Sequence, residues 1–136
     1  MIVDAKDTVL GRLSSYVAKQ ALLGKRIEVI NCEESVISGK KYVILENYIR
    51  KLHRGAPTKS PYFYKKPDRL VKRTIRGMLP FKRARGRSAF KNIKCYIGVP
   101  ENLKNETALR IDADAKKLQS TDCLKVKDIC KAVGGK

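Results

Sequence analysis

The sequence predicts an α/β domain in which helices pack on a small, mainly parallel sheet. Strand-like and helix-like hydrophobic patterns alternate along the first half of the chain, the order that favours parallel pairing through crossover helices. The 136 residues, 43% hydrophobic and 32% charged, suit one globular domain rather than two, or a disordered chain. No linker or low-complexity tract divides the chain, and no internal repeat is present.

Met1 to Ala5 reads as a short strand. Asp7 or Thr8 is placed to cap a helix whose apolar residues Leu10, Leu13, Val17, Ala21 and Leu22 recur at helical spacing, and Gly24 ends it just past the last turn. Ile27 to Cys32, rich in β-branched residues, reads as a buried strand. Ser38 is placed to cap a second helix with Leu45, Tyr48, Ile49 and Leu52 on one face. From His53 to Pro67 the chain reads as loop, because Gly55, Pro57, Pro61 and Pro67 interrupt regular structure.

Pro67 suits the first turn of a third helix, whose length Gly77 and Pro80 limit. Within it Arg69, Lys72, Arg73 and Arg76 form one stripe, and Val71, Ile75 and Met78 form a second about 145° away, anchored to a core. Ser88 to Asn92 adds a helical turn. Ile93 to Val99 alternates apolar and polar and reads as a third main strand, stopped by Pro100. Beyond it, Asp112 to Leu118 reads as helical, Cys123 to Val126 as extended, and Val126, Ile129, Cys130 and Val133 as the apolar face of a short last helix.

Charge is unevenly spread. The net charge is +18, with 31 basic against 13 acidic residues. Residues 50–94 hold 16 basic residues and one acid, Asp68, whereas residues 1–49 hold 7 and 6 and residues 95–136 hold 8 and 6. A solvated surface mixes signs, so this block points to a polyanion, a nucleic acid. Loops mixing Gly, Pro and Arg, without a recognised DNA-reading motif, suit irregular folded RNA better than a DNA groove. The candidate RNA-binding residues are Lys51, Arg54, Lys59, Lys65, Lys66, Arg69, Lys72, Arg73, Arg76, Lys82, Arg83, Arg85 and Arg87. Tyr62-Phe63-Tyr64 lies inside the block and has two readings: rings stacked on unpaired bases, or rings wedged into the domain's own core. Backbone amides at the helix start beside Gly39-Lys40-Lys41 offer a place for one more phosphate.

Catalytic motifs are sparse. There is no Gly-x-Gly, no P-loop and no Gly-x-Ser-x-Gly, and a single histidine excludes a His-Glu-x-x-His site. His53 has Lys51 and Arg54 as neighbours and no nearby carboxylate to orient it, so contact with RNA or packing in a loop explains it better than catalysis. Glu33-Glu34 and Asp112-x-Asp114, the clustered acids, lie outside the basic block, where turn and helix-start roles account for them. The residues alone leave open an RNA-processing enzyme, marked by RNA turnover and a metal requirement, and a DNA-compacting protein, marked by equal affinity for duplex DNA.

Cys32, Cys95, Cys123 and Cys130 form no Cys-x-x-Cys pair, so reduced core filler is expected rather than zinc ligands or disulfides. Met1-Ile2-Val3-Asp4 lacks the basic start and apolar stretch of a signal peptide. Runs such as Val43-Ile44-Leu45 fall far short of the ~18 residues of a spanning helix. A soluble, intracellular protein is expected.

Asp4-Ala5, Leu10-Gly11-Arg12-Leu13-Ser14-Ser15, Gly24-Lys25 and Ile30-Asn31-Cys32-Glu33 resemble the opening of the universal large-subunit ribosomal protein thirteen family. The middle of the chain is similar in more specific ways: Lys66-Pro67-x-Arg69-x-Val71, Arg76-Gly77-Met78-Leu79-Pro80, Gly86-Arg87 and Lys94-x-Tyr96-x-Gly98 follow in the family's order. The resemblance covers about residues 1–100 and carries nothing specific onto the rest. It implies a three-layer α/β/α domain with a small parallel sheet and a basic insertion-like segment. The implied role is structural, as a constituent of the large ribosomal subunit that stabilises folded ribosomal RNA during assembly, without catalysis, cofactor or metal.

The same resemblance places the RNA contacts at Lys65, Lys66, Arg69, Lys72, Arg73, Arg76 and the Arg83–Arg87 cluster. Its implied partners are large-subunit ribosomal RNA and neighbouring large-subunit ribosomal proteins of a cytoplasmic ribosome, with no membrane and no small-molecule substrate. His53-Arg54-Gly55-Ala56-Pro57 and Tyr62-Phe63-Tyr64 depart from the bacterial pattern and look more like the archaeal and eukaryotic branch. The long C-terminal extension typical of eukaryotic members is absent from this sequence, which favours an archaeal source.

Overall fold

Helix α1 (Leu10–Leu22) forms because its apolar residues return every three or four positions, burying Leu10, Leu13, Val17, Ala18 and Ala21 on one side. It ends where Gly24 adopts φ +88°. The Gly24 N–H then reaches the Ala21 carbonyl and the Lys25 N–H reaches the Gln20 carbonyl, a paired closure that needs a left-handed residue. The computed structural model describes residues 1–56, 58–113, 115 and 122–135.

Around α1 the chain builds a four-stranded parallel sheet, so the α/β class and the mainly parallel sheet are as expected. Its strands are β1 (Ile2–Asp4), β2 (Ile27–Ile30), β4 (Ile93–Cys95) and β5 (Leu109–Arg110), in the order β4-β2-β1-β5. The register pairs Val3 with Val29 and Ile27 with Ile93, which puts these four side chains on one face. All four are completely buried and share a core with residues of α1, α3 (Pro67–Met78) and α4 (Ala84–Lys91). The opposite face carries ion pairs between neighbouring strands: Asp4 with Arg110 at 3.4 Å and Glu28 with Lys94 at 3.8 Å. Asp4 also accepts from the Lys6 N–H and the Asn31 side-chain amide, so its buried carboxylate is satisfied.

The last helix, α5 (Val126–Ala132), extends this core through Val126, Ile129 and Cys130, each side chain adding about 1.5–3 kcal/mol if apolar and fully buried. A two-stranded antiparallel pair, β3 (Val36–Ser38) with β6 (Cys123–Lys125), leads into α2 (Lys41–Leu52) and α5 respectively. Glu34 ties the two regions together: its carboxylate takes hydrogen bonds from Lys125 and, at 2.8 Å, from Lys127. These bonds, the Lys125 contact foremost, hold its pKa down at about 2. The adjacent Glu33 accepts the Gly98 N–H at 3.0 Å. Both acids therefore hold turns.

Several sequence expectations need correction. Asp7 and Thr8 do not cap α1: Asp7 is left-handed at φ 52°, the Thr8 hydroxyl donates to the Lys6 carbonyl, and Val9 is the cap residue. Ser38 does not cap α2, because it pairs with Cys123 in β3, and Lys40 takes the cap position. β2 stops at Ile30, where Asn31 turns left-handed into a short 3-10 turn over Cys32–Glu34. The third main strand likewise stops at Cys95, before Gly98 turns at φ +65°.

Other corrections concern burial and length. Met78 is not on the packed stripe of α3: it is 43% exposed, and Leu70, Val71, Ile75 and the following Leu79 fill the core instead. The helical turn expected from Ser88 begins earlier, as α4 from Ala84. Asp112 to Leu118 falls mostly outside the described residues. Cys32 and Cys130 are buried free thiols. A hydrogen bond with Cys95 and then burial push the Cys32 pKa up, while burial and then the Asp68 charge push Cys130 up to about 11. Cys123 is exposed and fills no core, and Cys95 is half-buried.

Candidate nucleic-acid interface

Helix α3 is the spine of the cationic segment. Pro67 opens it, Leu70, Val71 and Ile75 fix one side in the core, and its spacing turns Arg69, Arg73 and Arg76 to solvent with Lys72 half-buried beside them. The other candidate cations, all exposed, surround it. Lys51 lies in the last turn of α2, with Arg54 just beyond the helix, and Lys59 lies in the loop after it. Lys65 and Lys66 lead into α3, Lys82 and Arg83 join α3 to α4, and Arg85 and Arg87 lie on α4. Ion pairs among the described residues involve none of these candidates. Among the described residues the positive charge is left without ion-pair partners, and such a face attracts polyanions with a salt-dependent strength.

Aromatic rings hold several of these cations in place. The Arg76 guanidinium lies over Phe81, Arg73 lies 5.9 Å from the Phe63 centroid and 5.7 Å from that of Tyr64, and Arg69 lies 5.8 Å from Tyr64. Lys72 Nζ is 5.1 Å from the Phe90 ring and Lys51 Nζ 4.9 Å from the Tyr48 ring. Arg73 also donates through Nη1 to the Tyr62 carbonyl at 3.0 Å. Cation–π contacts of this kind limit rotamer freedom while leaving the charge accessible.

The aromatic triplet divides its duties. Phe63 turns inward, half-buried against the core and edge-on to Tyr48 at 5.8 Å, whereas Tyr62 and Tyr64 are 63% and 43% exposed. Phe81 and Phe90, which the sequence reading passed over, meet edge-to-face at 5.4 Å between α3 and α4. Their signal was present as aromatics interleaved with the second basic cluster.

Not every candidate converges. Arg69, Lys72, Arg73 and Arg76 share a cleft of about 240 Å³ with Tyr64 and Phe90. Arg73 and Arg76 also border a wider cleft of about 760 Å³ with Lys82 and Arg83. A third, of about 360 Å³, collects Lys51 and Arg54 around Tyr62 and Phe63. Arg85 points elsewhere, lining a groove with Met78, Leu22 and Leu23, and Lys65 lies against Gly134 and Gly135. His53 is exposed as the residue closing α2.

An α/β body with a cationic face free of ion pairs among the described residues, several of its charges seated on aromatic rings, defines a basic protein whose surface suits a polyanion. A family model described as ribosomal protein L13 matches residues 1–102. The chain is 46% identical over 137 residues to the large ribosomal subunit protein uL13 of Methanosarcina barkeri, an alignment covering 99% of this chain and 98% of that protein. It is 47% identical over 122 residues to uL13 of Archaeoglobus fulgidus, covering 89% of this chain and 78% of that protein. With uL13 of Methanococcoides burtonii it shares 38% identity over 136 residues, 99% of this chain and 98% of that protein. The chain belongs to the ribosomal protein L13 family, a family of ribosomal structural proteins and not of enzymes. Likeness to these archaeal relatives extends past residue 100, where the motif resemblance stopped, and so takes in β5, β6 and α5.

Proposed function

We propose that this chain is a structural constituent of the large ribosomal subunit, and that the face built on residues 50–94 is where it holds the subunit's folded RNA. The observation that carries this is the set of cations from Lys51 to Arg87: exposed or half-buried and free of ion pairs among the described residues. Charge so concentrated, left unneutralised within the fold, favours binding to a phosphate backbone with release of its counterions. The whole chain acts as one RNA-binding unit in this reading, with neighbouring large-subunit proteins as further partners and the cytoplasmic ribosome as its place.

Sedimentation of the native protein from a lysate at moderate salt tests this, with mass spectrometry across the gradient. Comigration with large subunits at near one copy each, lost at high salt or after RNase treatment, is the expected result. Recovery only from light fractions or chromatin would overturn the ribosomal role.

A further inference from the structure

The cleft of about 240 Å³ between Tyr64 and Phe90 is smaller than the roughly 300–1,000 Å³ of pockets that enclose cofactors or drug-sized ligands. Its lining is specific: two aromatic rings with Arg69, Lys72, Arg73 and Arg76, and no carboxylate. We infer that this cleft receives a single unstacked base of the bound RNA, with Tyr64 as its stacking wall and the α3 cations gripping the phosphates on either side. The inference rests on the RNA-binding reading above and adds to it a defined subsite.

Tyr64 is the informative residue. Its neighbour Phe63 packs against the core, whereas Tyr64 lies outside that cluster and stands 43% exposed. Among the described residues its hydroxyl has no hydrogen-bond partner, and the guanidinium carbons of Arg69 and Arg73 stand 5.8 and 5.7 Å from its ring centre, short of stacking on it. Aromatic rings and guanidinium planes are the two surfaces on which proteins stack unpaired bases, and a fully paired helix exposes no base face to meet them. The stripe places cations at i, i+3, i+4 and i+7 along the cleft, so the nucleotides flanking a seated base also meet positive charge. A base held there would fix the register of an otherwise sequence-indifferent electrostatic contact.

The test uses the full chain and two RNA hairpins of equal length, one with a single bulged 2-aminopurine and one with that base paired. The expected result is binding of the bulged hairpin about tenfold tighter, with quenching of 2-aminopurine fluorescence. Tyr64→Leu removes the preference and the quench but keeps the salt dependence of binding, and Tyr64→Phe retains both. Equal binding of the two hairpins, or a quench unchanged in Tyr64→Leu, would overturn the base subsite and leave the RNA-binding reading standing. Failure to hold either hairpin at physiological salt would overturn both.

Discussion

The Arg76 guanidinium carbon sits 4.1 Å from the centre of the Phe81 ring, so a cation at the end of α3 is seated on the segment that leads into α4. A charge held this way meets phosphate with less loss of side-chain freedom than a loose lysine would. Substituting Arg69, Arg73 and Arg76 together by alanine is therefore expected to weaken RNA binding and to flatten the plot of log affinity against log salt by about 2 to 3 units. Far-UV circular dichroism should stay unchanged, since all three side chains are exposed. An unfolded variant would show that the stripe serves the fold instead, and an unaltered slope in a folded variant that the stripe does not meet phosphate.

Met78 and Ile75 separate the two sides of the same helix. Met78→Asp costs only about 1 kcal/mol, from an acid at the C-terminal end of α3 and the loss of a partly buried side chain, because Met78 is 43% exposed. Ile75→Ala, at a fully buried position, costs about 2–5 kcal/mol. Urea denaturation of both variants checks the pair, and a large loss for Met78→Asp would contradict the exposed placement.

Gly86 is held against the backbone of the preceding turn. A Cβ there would stand 2.2 Å from the Pro80 carbonyl oxygen, so Gly86→Ala forces α4 away from that turn at a cost of about 1–3 kcal/mol. Gly11, also helical but with open space around it, behaves oppositely: Gly11→Ala stabilises by roughly 0.5–1 kcal/mol. Thermal melts of the two variants should move in opposite directions.

Glu34 makes part of the stability depend on pH. Its folded pKa of about 2 lies below the ordinary 4.5, so its contribution is fully present above about pH 4.5 and lost as pH falls towards 2. Glu34→Gln should be less stable than the parent at pH 7, with the gap closing across that acid range. A difference in melting temperature that stays constant from pH 7 to about pH 2 would sink the assignment.

Where local chemistry decided the outcome, the sequence was readable. The apolar spacing of α1 and α5, the β-branched run of β2 and the proline opening α3 each produced the element expected. So did the outward stripe of Arg69, Arg73 and Arg76, with Lys72 half-buried beside it. Long-range pairing was illegible: nothing near Ser38 announces that Cys123 will claim it for β3. Asp7 and Thr8 have good capping chemistry, but the turn after β1 sends Asp7 left-handed and turns the Thr8 hydroxyl back to Lys6. Met78 shares a helical face with Ile75 by angle, yet α3 ends beneath it and Leu79 takes the buried place. In the candidate site, charge marked the face, while the seats provided by Phe81 and Phe90 depended on how α3 and α4 meet.

The position of β1 inside the sheet has a consequence for synthesis. Its partners are β2 on one side and β5 on the other, and the core also needs Val126, Ile129 and Cys130 from α5. A chain growing from its N-terminus contains the whole cationic stretch before any of those late residues are added. During that interval β1 keeps an open edge and the core an unfilled side. The cationic segment is thus made before the last parts of the body that carries it, and closure of the fold waits on β5 and α5.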